Sequence, residues 1–374
     1  MSKAKLNEFV KETVKAHLGD KTGNKVFEES NLLQYLVTKT KSVNSSSKSR
    51  GSFANLYALY VLIEDYIQKG YVENNSYQEY DGMMFSDAFK RQRELPFGEK
   101  LQNHALNNRC NDEFRKYFNT VTSEVPIIRN LETKRYWINE NLLKVDNNDT
   151  IINIAEIVID VIDKYVDLKL EGFQEFFNNL EELRETYETD TQKAKNFILG
   201  FLNPEIDARI FEIVSYSILK YYYIMQSVYF GSSQDSIKEY PLSLYKTGRT
   251  NANDGGIDFI MIPTGRIFQV TEVLDFKKYF LDIRKLNKYP ITFVIKQKYT
   301  PEESRKIIEN AAKEDFSDDP SVLKHYLDCF EELITIPTLT EYLDLVVAND
   351  YISDLIDELI LQSKVEYNLT EDEE

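Results

Sequence analysis

From Asp254 to Val273 the chain reads Asp-Gly-Gly-Ile-Asp-Phe-Ile-Met-Ile-Pro-Thr-Gly-Arg-Ile-Phe-Gln-Val-Thr-Glu-Val. An acidic glycine turn feeds two apolar runs, Ile257 to Ile262 and Arg266 to Val273, and the runs flank Thr264-Gly265. Apolar β-branched runs broken by a glycine turn predict a β-hairpin. The two glycines allow tight backbone approach, which puts Asp258 at the start of the first strand. On the second strand Gln269 and Thr271 are two apart and share a face, while Val270 points the other way. A two-residue turn at Thr264-Gly265 sets Asp258 opposite Thr271 and beside Gln269. A three-residue loop pairs Asp258 with Val270 and brings Glu272 to its side. The sequence permits both registers, so Glu272 stands as a rival second carboxylate. Oxygen donors in this arrangement suit a hard divalent cation such as Mg²⁺.

The surroundings predict an α/β order. A helix over Ala208–Met225 precedes the hairpin, a helix over about Phe276–Leu286 follows it, and Pro290 opens a strand at Ile291–Ile295. Helix, hairpin, helix, strand is a mixed-sheet core flanked by helices. Before it the chain reads as mainly helical. The signals are an amphipathic segment at Leu6–Leu18 and a stripe of Leu56, Leu59, Tyr60, Ile63 and Ile67 with Ser52 as its cap. They continue with helical spacing over Ile151–Val166, a charged helix over Phe173–Tyr187, and one strand at Arg135–Ile138. Asn203-Pro204 reads as the boundary. The expected organisation is a helical N-terminal region at 1–203, a core at 204–300, a helical region at 301–363 and an acidic disordered tail at 364–374.

Two cysteines, Cys110 and Cys329, and three scattered histidines exclude a disulfide scaffold and argue against zinc hydrolysis or a histidine triad. No run of about 18 apolar residues is present and no signal peptide is evident, so the expectation is a cytoplasmic protein with no membrane partner. The net charge of -17 opposes nucleic-acid binding, which needs clustered Lys and Arg. The charge is polarised, however: no acidic residue lies between Glu29 and Glu64, a stretch that holds Lys39, Lys41, Lys48 and Arg50 among serines. These, with Arg91 and Arg93 in one basic cluster and Arg249 and Asn251 just before the glycine turn, are the candidate phosphate and base contacts.

Phe211-Glu212 on a helix, Asp254-Gly-Gly-Ile-Asp258 on a strand and Phe268-Gln-Val-Thr271 on the next resemble the PD-(D/E)XK nuclease superfamily, in its Mrr-like branch of restriction endonucleases. The resemblance spans about residues 207–296 and implies a restriction-endonuclease-like fold. It implies Asp258 as the central metal-binding aspartate, Gln269 as the second-strand ligand and Glu212 as the helix carboxylate near the metal. The family's lysine falls at Thr271. The resemblance lets a neighbouring helix supply it instead, with Lys277 and Lys278 as candidates.

The resulting expectation is a Mg²⁺-dependent, sequence-specific endonuclease of type II restriction type, cutting double-stranded DNA as a homodimer and paired with a cognate DNA methyltransferase. No ATPase phosphate loop or methyltransferase glycine motif is present. The alternatives are a catalytically inactive nuclease-fold DNA-binding protein, marked by Thr271 in place of lysine, and a metal-dependent RNase.

Overall fold

The computed structural model describes residues 3–40, 49–73, 76–99, 101–148, 150–187, 190–247, 257–316 and 319–367. The chain divides into two compact units, Met1–Phe173 and Gln174–Glu374.

The first unit is built from α1 (Lys3–Leu18), α2 (Asp20–Glu29), α3 (Asn31–Lys39) and α4 (Ser49–Gln68), then β1 (Met83–Met84), α5 (Phe85–Glu94) and α6 (Cys110–Phe118). Strands β2 (Ile127–Asn130) and β3 (Arg135–Ile138) join β1 in a small sheet of order β1-β3-β2, and β4 (Lys144–Asn147) pairs with β5 (Thr150–Asn153). Helix α4 is the centre of the core. It buries not only Leu56, Leu59 and Ile63 but also Tyr57, Ala58, Val61 and Leu62, so its apolar surface runs all round rather than in one stripe. Ser52 is therefore no cap: the helix begins a turn earlier, at Ser49. Residues 151–153, expected to be helical, fall in strand β5, where their β-branched isoleucines pair across to β4. Asn153 Oδ1 then accepts the Ala155 N–H at 3.0 Å and starts α7 (Ala155–Thr186).

The second unit contains α8 (Thr191–Gly200), α9 (Ala208–Ile224), the hairpin of β6 (Ser227–Phe230) and β7 (Lys238–Pro241), and a five-stranded sheet. The division falls at Phe173 rather than at Asn203-Pro204 because α7 runs on unbroken and its later turns pack into this unit. Phe176, for example, meets Phe201 at 4.7 Å. The sheet consists of β8 (Ser243–Lys246), β9 (Phe259–Ile262), β10 (Arg266–Thr271), β11 (Ile291–Ile295) and β12 (Phe330–Thr335), in order β12-β11-β10-β9-β8. Strands β8, β9 and β10 are antiparallel neighbours, and β10, β11 and β12 are parallel. Helix α10 (Phe276–Lys285) connects β10 to β11; α11 (Pro301–Asp315) and α12 (Pro320–Leu327) connect β11 to β12. Parallel neighbours need such crossovers. α13 (Ile336–Ala348) and α14 (Ile352–Tyr367) follow.

The two sheet faces are covered differently. α9 lies on one, with Tyr216 against Phe259 at 5.2 Å and Tyr223 against Phe268 at 5.9 Å. α10 lies on the other, with Tyr279 against Phe293 at 4.7 Å and Ile267, Ile291 and Ile295 in the same apolar cluster. Strand β12 falls in a segment expected to be helical throughout. Its Glu331 and Glu332 both meet the Arg266 guanidinium. Of the expected acidic tail, residues up to Tyr367 belong to α14, and residues 368–374 lie outside the described ones.

Candidate active site

The hairpin pairs Arg266 with Met261, Ile267 with Ile260 and Phe268 with Phe259. Its connection is thus the four residues Ile262 to Gly265, closed by the Gly265 N–H on Met261 O at 2.8 Å, with Gly265 at φ 71°. Neither turn length expected from the sequence is the one adopted. Asp258 N donates to Phe268 O at 2.9 Å, the residue that Phe259 already faces, so the ladder slips by one as in a β-bulge. The Val270 N–H then donates to Asp258 Oδ2 at 2.7 Å, a carboxylate oxygen standing where a ladder carbonyl would be.

Gln269 comes to the main chain of the same residue. Its Nε2 donates to Val270 O at 3.2 Å, which fixes the orientation of the amide, and its Oε1 is buried with no hydrogen-bond partner. An orphaned buried acceptor costs about 1–3 kcal/mol. A carboxylate and an amide with an unsatisfied oxygen, both held on the main chain of Val270, fit a hard cation that retains waters and takes one or two protein carboxylates. Among the described residues no group of three His, Cys, Asp or Glu side chains gathers to hold a metal. Among the described residues the donors placed here are the Asp258 carboxylate and the Gln269 amide oxygen.

Thr271 lies two residues on from Gln269, on the α10 face, and is buried. The Lys278 ammonium, from the first turns of α10, donates to Thr271 Oγ1 at 3.0 Å. Asp275 sets that helix in place by accepting the Lys277 N–H at 3.0 Å as an N-cap. Lys278 thus brings an ammonium from α10 to the Thr271 hydroxyl. Lys277 is 68% exposed and pairs with Asp315 at 3.0 Å. Tyr279 donates to Val273 O at 2.9 Å, and burial pushes its phenol far above the usual tyrosine range, so it remains a proton donor.

Two carboxylates expected here are placed elsewhere. Glu272 alternates away from Thr271 and binds Lys296, whose ammonium also donates to Ile206 O at 2.8 Å, in the turn before α9. Glu212 is buried against Lys246 at 3.2 Å, and Lys246 also approaches Glu366 at 3.8 Å. Lys246 pairs with Phe259, which faces α9, so Glu212 belongs to the face opposite Gln269 and Thr271. Lys296 escaped the sequence reading. A lysine directly after the five buried residues of β11 is the signal that points to it.

The expected DNA contacts fare unevenly. Lys39 is buried and pairs with Glu113 at 2.8 Å, and Arg91 grips Glu64 through two bonds of 2.8 Å. That carboxylate holds the Arg91 guanidinium protonated even beyond its ordinary range. Arg93 donates to Glu99 O at 2.5 Å. These three are committed to internal partners. Lys41, Lys48, Arg249 and Asn251 lie outside the described residues, as does the side chain of Arg50.

The chain matches no protein-family model, no curated protein and no solved structure.

Proposed function

We propose that this chain is a divalent-metal-dependent endonuclease of type II restriction kind, hydrolysing phosphodiester bonds of DNA with Mg²⁺ held by Asp258 and Gln269. The observation that carries this reading is the convergence of the Asp258 carboxylate and the Gln269 amide on the main chain of Val270, with Gln269 Oε1 left unsatisfied. The sheet supports it: an antiparallel run β8-β9-β10 continued by parallel β11 through α10 agrees with a restriction-endonuclease-like core.

When bound, the cation supplies Lewis-acid polarisation of a phosphoryl oxygen and acidifies water. Asp258 provides its negative ligand and is anchored for that role by the Val270 N–H. Gln269 adds a neutral oxygen. Lys278, positioned by Thr271, presents further N–H donors and a positive charge to the phosphate oxygens as charge builds on them. Two-strand cleavage calls for a homodimer, since one such site cuts one strand, and a cognate methyltransferase would protect the host target.

The deciding experiment is incubation of plasmid, phage DNA and RNA with the protein, in Mg²⁺ and in EDTA. Discrete DNA fragments in Mg²⁺ alone are expected. A gel shift without cleavage identifies a binding protein on a nuclease scaffold, RNA-only cleavage identifies an RNase, and inertness toward all three by folded protein overturns the proposal. Lys278→Ala is expected to lower kcat by on the order of 10²-fold, the usual effect of losing one preorganised donor. Lys277→Ala is expected to leave kcat unchanged, because its pair with Asp315 is a surface one. Equal effects of the two variants on single-turnover cleavage would remove Lys278 from the site.

A further inference from the structure

At the turn end of the five-stranded sheet a cavity of about 510 Å³ opens between the β6–β7 hairpin, the β9–β10 turn and the first residues of β10 and β12. That volume lies within the roughly 300–1,000 Å³ of small-molecule sites. Val228, Leu242, Met261 and Pro290 give it apolar walls, and two charged side chains enter it, Arg266 and Glu331. Arg266 lies on the α9 face, its guanidinium 5.8 Å from the Tyr223 ring centroid and 5.0 Å from that of Phe268. Gln269 is the next residue after Phe268 and points to the other face. The cavity is therefore separate from the candidate metal site.

The charges in the cavity do not balance. Arg266 is committed: its Nε donates to Thr292 Oγ1 at 2.8 Å and its Nη2 to a Glu332 carboxylate oxygen. Glu331 Oε1 stands 3.6 Å from that Nε, beyond hydrogen-bonding distance, and among the described residues Arg266 is its only ion-pair partner. One guanidinium thus serves two carboxylates, and Glu331 is the one left over. Burial raises its carboxyl above the usual glutamate range, with Arg266 opposing that shift and Glu332 adding to it. A carboxylate that is partly desolvated and incompletely paired calls for a positive charge. Tyr289, whose hydroxyl donates to Gly265 O at 3.1 Å, holds an aromatic ring in the same wall, and a ring face attracts a cation as well.

The walls decide which kind of cation fits. A bare metal ion needs several oxygen ligands, and among the described residues no three such side chains gather. An anion meets surplus negative charge, and a neutral hydrocarbon leaves Glu331 unrelieved. An ammonium on an apolar body satisfies both the carboxylate and the walls.

We propose that this cavity binds a small organic amine, with its ammonium on Glu331 and its hydrocarbon body against Val228, Leu242, Met261 and Pro290. The site stands independently of the nuclease reading.

The test is calorimetric titration of the full chain with three probes of one shape, benzylammonium, benzyl alcohol and benzoate. Benzylammonium is expected to bind at least about tenfold more tightly than benzyl alcohol, the usual worth of a charge-assisted bond, and benzoate is expected not to bind. Glu331→Gln keeps the side-chain shape, and its unfolding midpoint is expected to match the parent because the side chain is 38% exposed. That variant is expected to weaken benzylammonium about tenfold and to leave benzyl alcohol unchanged. Val228→Trp, which fills the cavity from the hairpin side, is expected to weaken both. Benzylammonium binding by folded Glu331→Gln with the parent affinity would overturn the proposal. So would benzyl alcohol or benzoate binding as tightly as the amine, or no binding of benzylammonium up to roughly 10 mM, where even a weak site fills.

Discussion

Asp258→Asn is expected to lower Mg²⁺-dependent cleavage by at least on the order of 10³-fold, because it removes the Asp258 carboxylate and with it several kcal/mol of charge stabilisation, at 1.36 kcal/mol per tenfold in rate. Asparagine is the informative substitution. Asp258 Oδ2 accepts the Val270 N–H at 2.7 Å, and an asparagine amide oxygen can keep that bond while losing the charge. Alanine would strand the Val270 donor and mix a folding cost of about 1–3 kcal/mol into the result. The thermal unfolding midpoint of Asp258→Asn should therefore match the parent, and oligonucleotide binding measured in EDTA should persist. Gln269→Leu probes the other oxygen. It satisfies no metal but also removes an orphaned acceptor, so activity should fall while stability holds or rises. Cleavage by Asp258→Asn at the parent rate would dismiss Asp258 as a ligand, and the nuclease proposal with it.

The elements around the site were legible because each carries a local signal. Arg135–Ile138 and Ile291–Ile295 are strands with the predicted bounds, and the α9 and α10 helices differ from expectation only at their C-terminal ends. What sequence could not supply was register. Thr264-Gly265 looks like a two-residue turn, yet the loop takes in Ile262 and Pro263 as well, and the bulge at Asp258 shifts the ladder once more. Those displacements decide which carboxylate meets Gln269, and they depend on pairing partners rather than on local residue type. The basic residues illustrate a second limit. Lys39 and Arg91 were read as surface cations, but Glu113 and Glu64, distant in sequence, neutralise them in the fold. Strand β12 was hidden for a related reason: its two glutamates are accommodated by Arg266, which arrives from β10.

Glu272 provides the sharpest contrast with Asp258, since the two were rival carboxylates in the sequence and occupy different environments in the fold. The Lys296 side chain is 1% exposed, and its partners are Glu272 and the Ile206 carbonyl. Removing one member of a buried pair leaves an uncompensated charge, so Glu272→Ala is expected to destabilise the second unit by about 3 kcal/mol, lowering its unfolding midpoint by roughly 6 to 12 °C. Adding Lys296→Met to that variant should recover part of the loss, because the stranded ammonium is then gone and only the Ile206 carbonyl is left without its donor. Cleavage per folded molecule, measured well below the midpoint, should remain close to the parent value in Glu272→Ala. A metal ligand behaves the opposite way, with activity lost and the midpoint unchanged or raised as carboxylate repulsion is relieved. Calorimetry and single-turnover cleavage on the same three proteins separate these outcomes. A stable but inactive Glu272→Ala would return this carboxylate to the metal and replace the Asp258–Gln269 pair with a site of two acids.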